Sequence, residues 1–185
     1  MRVFVCAGMN AEPSENMRKD AIEIGRMLGQ NNHTLLQGGS NKGMMGLTLN
    51  EFLKYSDDVE MIVPEVYKDV LDGLTYKKSH LTMNLSERLK TTIEQSDKII
   101  VLPGGTGTLL ELLYANETKR AKEHTCDVVV VNSDGFFDGL QKQIETMEQL
   151  GFTNASKIMV RFVKGLGENT KVANSIFSQS SGITK

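Results

Sequence analysis

The segment Lys98-Ile-Ile-Val-Leu-Pro103-Gly-Gly-Thr-Gly-Thr108-Leu-Leu-Glu111 constrains this chain more than any other, because an apolar run empties there into a glycine-rich turn that opens a helix. Ile99 to Leu102 form a short unbroken apolar stretch, as expected of a parallel strand covered on both faces. Pro103 ends it. Gly104, Gly105 and Gly107 let the backbone approach a ligand closely, so successive N–H groups can converge on an anion. A helix beginning near Thr106 to Thr108 adds its dipole and unpaired donors at the same place. Thr108 can add a hydroxyl, and Glu111 lies about one helical turn further on, within reach of a sugar carried by that phosphate. The spacing is not that of a Walker A loop, and Leu110 stands where a dinucleotide fingerprint would place its third glycine, which argues against a triphosphate-cleaving motor. On this helix Leu109, Leu112 and Leu113 form the expected sheet-facing stripe, with Glu111 rotated to the far side. Leu110 and Tyr114 fall off the stripe as well, which predicts a second buried surface, most simply against a partner subunit.

The 185 residues, 39% of them hydrophobic, suffice for one good core, and no linker divides them. A single domain over residues 1–185 is expected, with a flexible Ser/Gly-rich tail from about residue 180. The net charge of -2 leaves no electrostatic footprint for nucleic acid or an anionic membrane, so an anionic ligand must be met locally. The chain opens on a strand-like segment, Val3 to Cys6, and no apolar run approaches the roughly 20 residues that span a bilayer; a cytoplasmic protein is expected. Cys6 and Cys126 form no CxxC pair and read as buried thiols at strand ends. His33, His80 and His124 lack metal-ligand spacing, so neither a metal nor a cofactor is expected.

Apolar runs alternate with amphipathic segments. Arg2 to Ala7 precedes a helix near Ser14 to Leu28, Thr34 to Leu36 a helix near Met44 to Leu53, and Met61 to Val63 a less regular stretch from Pro64 to Leu81. A helix near Ser86 to Glu94 leads to the strand before Pro103, followed by a helix to about Glu123, the run Val128 to Val131 and a helix near Phe136 to Leu150. Ser156 to Val163 and Glu168 to Gln179 complete the expectation as a last strand and helix. This rhythm predicts an α/β fold, a Rossmann-like doubly wound parallel sheet with helices on both faces and ligands at the carboxyl ends of its strands.

Two further segments bear on function. Gln37-Gly38-Gly39-Ser40-Asn-Lys-Gly43-Met44-Met45-Gly46 also follows a strand and opens a helix; its glycines serve either ligand approach or close helix–sheet packing, with Met44 and Met45 in the core or lining a pocket. Asn84-Leu-Ser-Glu87-Arg88-Leu-Lys90 forms a helix before the strand into Pro103. With these segments, the sequence resembles the LONELY GUY family of cytokinin-activating phosphoribohydrolases, long labelled possible lysine decarboxylases. The family's hallmark PGGxGTxxE is matched by Pro103 to Glu111, Arg88 lies at the usual distance upstream, and Gly38 to Gly46 is similar to its GGGxxGLMG loop. Asn132-Ser-Asp-Gly-Phe-Phe-Asp138 is similar to its N-x-x-G-[YF]-[YF]-[DE] segment. Three positions depart from the pattern: Ser40 for the third loop glycine, Leu89 for a lysine after the arginine, and Leu110 for an acid.

The resemblance implies hydrolysis of the N-glycosidic bond of a nucleoside 5′-monophosphate, AMP or an N6-modified AMP, to a free base and ribose 5-phosphate. Glu111 and Arg88 would be catalytic, and Gly38, Gly39, Ser40, Gly43, Met44, Gly46, Gly104, Gly105, Thr106, Gly107 and Thr108 would bind substrate. A carboxylate beside the anomeric carbon can stabilise an oxocarbenium-like ribose, hold a hydroxyl or activate water. Arg88 can orient Glu111 and the ribose or meet the base or phosphate. The family also implies a homodimer with its site near the interface. The competing reading is a non-catalytic carrier, since molybdenum-cofactor carrier proteins resemble this fold and cradle a phosphorylated pterin; a carrier needs the phosphate loop but not the acid–arginine pair. Lysine decarboxylation would need a pyridoxal-phosphate constellation that the sequence does not display.

Overall fold

The structure, a computed structural model, describes residues 1–9, 12–154, 158–166 and 176–177. The chain order is β1 (Arg2–Cys6), α1 (Glu15–Gln30), β2 (Thr34–Gln37), α2 (Gly43–Phe52), β3 (Val59–Pro64), β4 (Lys78–Thr82), α3 (Leu85–Glu94), β5 (Lys98–Val101), α4 (Thr106–Arg120), β6 (Asp127–Asn132), α5 (Asp138–Gln149) and β7 (Arg161–Lys164). The seven strands form one parallel sheet in the order β4-β3-β2-β1-β5-β6-β7. The expected doubly wound α/β fold is what the chain adopts. From β1 the chain winds outward to β4, then crosses to β5 and winds the other way, so the order reverses between β1 and β5. Open α/β sheets bind ligands in the crevice at that reversal.

Alternation within the strands builds two cores. Val3, Val5, Leu35, Met61 and Ile100 pack against Ile24, Leu28, Leu49 and Phe52 of α1 and α2. Phe4, Cys6, Leu36, Ile62, Ile99 and Val101 pack on the other face with Leu112 and Ala115 of α4 and with Phe137. Central strands are buried on both faces, hence their unbroken apolar runs.

The expected irregular stretch from Pro64 to Leu81 instead contains a 3-10 segment, Glu65–Leu71, and most of edge strand β4. An edge strand completes one ladder only and lies half in solvent, so the sequence Lys78-Ser-His-Leu-Thr82 needs no apolar run. The last strand, expected over Ser156 to Val163, is the shorter β7; residues 155–157 lie outside the described residues, as do the tail from 180 and the Glu168 to Gln179 helix, apart from Ile176 and Phe177.

A polar cluster ties α3 to the sheet. Arg2 donates from both terminal nitrogens to the Glu60 carboxylate at 2.8 and 2.9 Å, and its Nε donates to the carbonyl of Gln95, the C-cap of α3, at 2.8 Å. His80 Nε2 lies 2.6 Å from Glu60. The guanidinium holds the Glu60 carboxyl down at about 2, against the opposing effect of burial.

Candidate active site

At the reversal point the ends of β1 and β5 are laced together. Leu102 N–H donates to Cys6 O and Gly8 N–H to Pro103 O, both at 2.9 Å. A Cβ on Gly8 would meet Gly104 Cα at 3.1 Å, so the two glycine turns lie against one another. Above them opens a cleft of about 830 Å³. The turn after β5, from Pro103 to Thr108, forms one wall with Glu111 and Arg88; Met9, Met17, Met44, Met45 and Phe136 supply much of the rest.

Helix α4 starts at that wall. Its N-cap, Gly105, has no side chain to satisfy the first amide groups, which places unpaired donors and the positive end of the helix dipole at the cleft. Gly104 is required by packing, because a Cβ there would strike Thr108 Oγ1 and lie 2.8 Å from Gly8 N. Gly105 and Gly107 are different: a Cβ on either would meet nothing within 4 Å, and neither has a positive φ. Neither packing nor backbone conformation requires glycine there, and the lack of a Cβ leaves the first-turn amides of α4 open to the cleft.

The second glycine loop does something else. Gly38 lines the cleft and makes room for the arginine, since a Cβ would lie 2.7 Å from an Arg88 guanidinium nitrogen. Gly39 (φ +83°) packs beneath Leu71 and Val63, Gly43 (φ +55°) against Gly8 O, and Gly46 against Asn41. Ser40 is buried, and its hydroxyl accepts from Lys42 N–H. The amides opening α2 are already engaged, Met44 N–H donating to Gly8 O at 2.9 Å and Met45 N–H at 3.4 Å. Of the residues expected to bind substrate, Gly39, Ser40, Gly43 and Gly46 therefore do not line the main cleft; they hold the loop against β1, while Gly38 and Met44 line it. Of the two glycine-rich helix starts, only that of α4 lines the main cleft without a side-chain cap.

Arg88 and Glu111 come together across the seam of α3 and α4. Two side-chain caps fix the start of α3: the N-cap Asn84 accepts from Glu87 N–H at 2.9 Å, and the Glu87 carboxylate accepts from the N–H of the preceding residue, Met83, at 2.6 Å. One residue on, Arg88 donates through Nε to Ile62 O at 3.1 Å, and its NH2 lies 2.6 Å from Glu111 Oε1. The two side chains are 14% and 11% exposed, so the pair is shielded from water on all but the cleft side. Glu111 is thus not on a far, solvated side of α4. The buried face of the helix runs through Thr108, Leu112, Ala115 and Asn116, Glu111 flanks it towards α3, and Leu113, expected in the stripe, is 49% exposed. Leu89 is buried, and Lys90 points to solvent with Glu94.

Burial raises the Glu111 carboxyl above its ordinary value, opposed by the Arg88 charge, by its hydrogen bond and by the Cys6 thiol. Cys6 ends β1 beneath this carboxylate; burial, with the Glu111 charge, pushes its thiol well above the ordinary range, so it stays protonated. From the sequence Cys6 reads only as a thiol at a strand end; its link to Glu111 exists only once β1 lies beside β5. Phe136, Met9, Met17 and Ser14 also line the cleft without having been expected there; the signal for Phe136 was its place in the Asn132 to Asp138 segment.

Residues 33–173 match the protein family described as "Possible lysine decarboxylase". The chain belongs to this family, the LONELY GUY family. LONELY GUY relatives include a cytokinin riboside 5′-monophosphate phosphoribohydrolase of Arabidopsis thaliana, 28% identical over 86% of this chain and 75% of its own length. A probable enzyme of the same name from Oryza sativa subsp. japonica is 30% identical over 86% and 66%. Among solved structures, the fold is shared with the molybdenum cofactor binding protein of Rippkaea orientalis, with a TM-score of 0.65, 19% identity and coverage of 96% and 98%. It is also shared with a molybdenum cofactor carrier protein of Chlamydomonas reinhardtii, with a TM-score of 0.64, 16% identity and coverage of 94% and 95%. At those identities the likeness is one of fold. No helix among the described residues of this LONELY GUY chain is long and apolar enough to cross a membrane.

Proposed function

We propose that this protein hydrolyses the N-glycosidic bond of a nucleoside 5′-monophosphate, AMP or an N6-modified AMP, releasing the base and ribose 5-phosphate. The observation that carries this reading is the shielded Arg88–Glu111 pair, at 2.6 Å, beside the uncapped start of α4. The first-turn amides of α4 hold the phosphate, and phosphate binding energy aligns the ribose with Glu111. As the C1′–N bond breaks, its electron pair leaves with the base, which takes a proton from solvent. Glu111 faces the oxocarbenium-like ribose and accepts a proton from the water that adds to C1′. Arg88 favours the ionised carboxylate against the opposing effect of burial and fixes its direction. A carrier of a phosphorylated cofactor has the same fold and the same use for the α4 start, but no use for a buried acid–arginine pair at the cleft wall. That pair favours the hydrolase.

In the same reading the protein is a homodimer with its site near the interface. Leu110 and Leu113 on α4 are 42% and 49% exposed, and Leu81 of β4, Met83 and Leu85, the first residue of α3, are exposed as well. An isologous contact through α3 and α4 would cover such a surface. Incubation of the protein with a panel of nucleoside monophosphates, following free base by chromatography, tests the activity. Release of base and ribose 5-phosphate from AMP is expected, and binding without release of base would replace the hydrolase with a carrier.

A further inference from the structure

The turn from Asn132 to Asp138 has no part in the chemistry above, yet it is pinned more firmly than its length requires. Asn132 accepts from Phe137 N–H and donates to the Asp138 carboxylate, both at 2.7 Å. Asp134 adopts a left-handed backbone (φ +52°), an uncommon state for a residue with a Cβ, and Gly135 follows at φ +71°. The Asp134 carboxylate accepts from Ser14 Oγ at 2.5 Å and Asn16 Nδ2 at 2.8 Å, and Ser133 donates to the buried Asp20 of α1 at 2.5 Å. The β6–α5 connection is therefore locked to the start of α1, across the cleft mouth.

What this turn presents is Phe136. Its neighbour Phe137 is buried, and the two rings meet edge to face, centroids 5.0 Å apart at 84°. Phe136 itself is 46% exposed and is the only aromatic among the described residues lining the cleft. An exposed ring on a strained, cross-braced turn is a preorganised surface for a flat apolar group. Met9 and Met17, also in the cleft lining, offer soft side chains that adapt to the outline of such a group.

We infer that Phe136 is the stacking platform for the nucleobase and a determinant of base specificity, favouring purines, whose larger π-face gains more from the ring than a pyrimidine's. The inference rests on the nucleotide reading of the cleft: with phosphate on α4 and ribose at Glu111, the base is the flat group left to meet Phe136. Asp134 is a positioning residue, acting through the turn.

Binding separates this inference from the hydrolase reading. In the full-length Glu111→Gln protein, where turnover is suppressed, calorimetry gives affinities for AMP, CMP and ribose 5-phosphate. Adding Phe136→Leu, which keeps apolar bulk but removes the π-face, is expected to weaken AMP about tenfold, equivalent to about 1.4 kcal/mol. CMP should weaken less, and ribose 5-phosphate not at all. Phe136→Tyr should retain the AMP preference, and Asp134→Asn should keep it better than Asp134→Ala. Equal losses for all three ligands, or no loss for AMP, would overturn the platform. A parent protein that binds AMP through Phe136 but releases no base would leave the platform standing and remove the hydrolase.

Discussion

Arg88 meets Glu111 at 2.6 Å from a neighbouring helix, and the space its guanidinium occupies exists because residue 38 is glycine. Glu111→Gln keeps the side-chain shape but cannot accept the proton from water. Turnover of AMP should fall by roughly 10²- to 10⁴-fold, while AMP affinity stays within about tenfold. Single-turnover kinetics beside calorimetry measure the two separately. Parent-like turnover in the variant would remove Glu111 from the chemistry.

The pH dependence follows from burial. Desolvation raises the Glu111 carboxyl and Arg88 opposes it. The ionised form acts, so kcat/KM should fall as pH drops through a value above that of an ordinary glutamate. Arg88→Gln removes the opposing charge and should move that acid limb higher. A limb at or below the ordinary value in the parent would contradict the assignment.

In the proposed reading, recognition of the 5′-phosphate falls to the amides opening α4, because those opening α2 are spent on Gly8 O. Each charge-assisted hydrogen bond is worth about 1.5–3 kcal/mol, so two favour AMP over adenosine by roughly a hundredfold or more in kcat/KM. Comparable rates on the two substrates would take the α4 start out of the account.

For the dimer, Leu110→Glu combined with Leu113→Glu places charges on the exposed face of α4 without touching its buried residues. Sedimentation should show a dimeric parent and a monomeric variant, with activity reduced in step. A parent that sediments as a monomer at micromolar concentration with full activity would rule the interface out.

The Glu60 cluster sets an acid-stability limit. With its carboxyl held at about 2 by Arg2, against 4.5 ordinarily, its contribution is complete above the ordinary value and is lost as pH falls from there to about 2. Glu60→Gln should cost on the order of 2–3 kcal/mol in urea unfolding at neutral pH, and the gap to the parent should close towards pH 2. A gap independent of pH would mean that packing, not charge, is what Glu60 supplies.

The sequence by itself determined the alternation of strands and helices and the strand–turn–helix from Lys98 to Glu111, whereas Arg88 was nominated only by the resemblance to a family. These are local facts: an apolar run, a glycine turn and a helical period are written in consecutive residues. Which neighbour each face meets was decided only by the order of strands in the sheet. Glu111 read as turned away from the core because periodicity gives an angle around α4 and not what stands beside it; packing α3 against α4 buried it on Arg88. Placing β1 beside β5 brought Cys6 beneath that carboxylate and let Gly8 O take the α2 amides, turning an apparent second anion site into a structural joint. Contacts between residues distant in sequence depend on topology, and no local pattern records them.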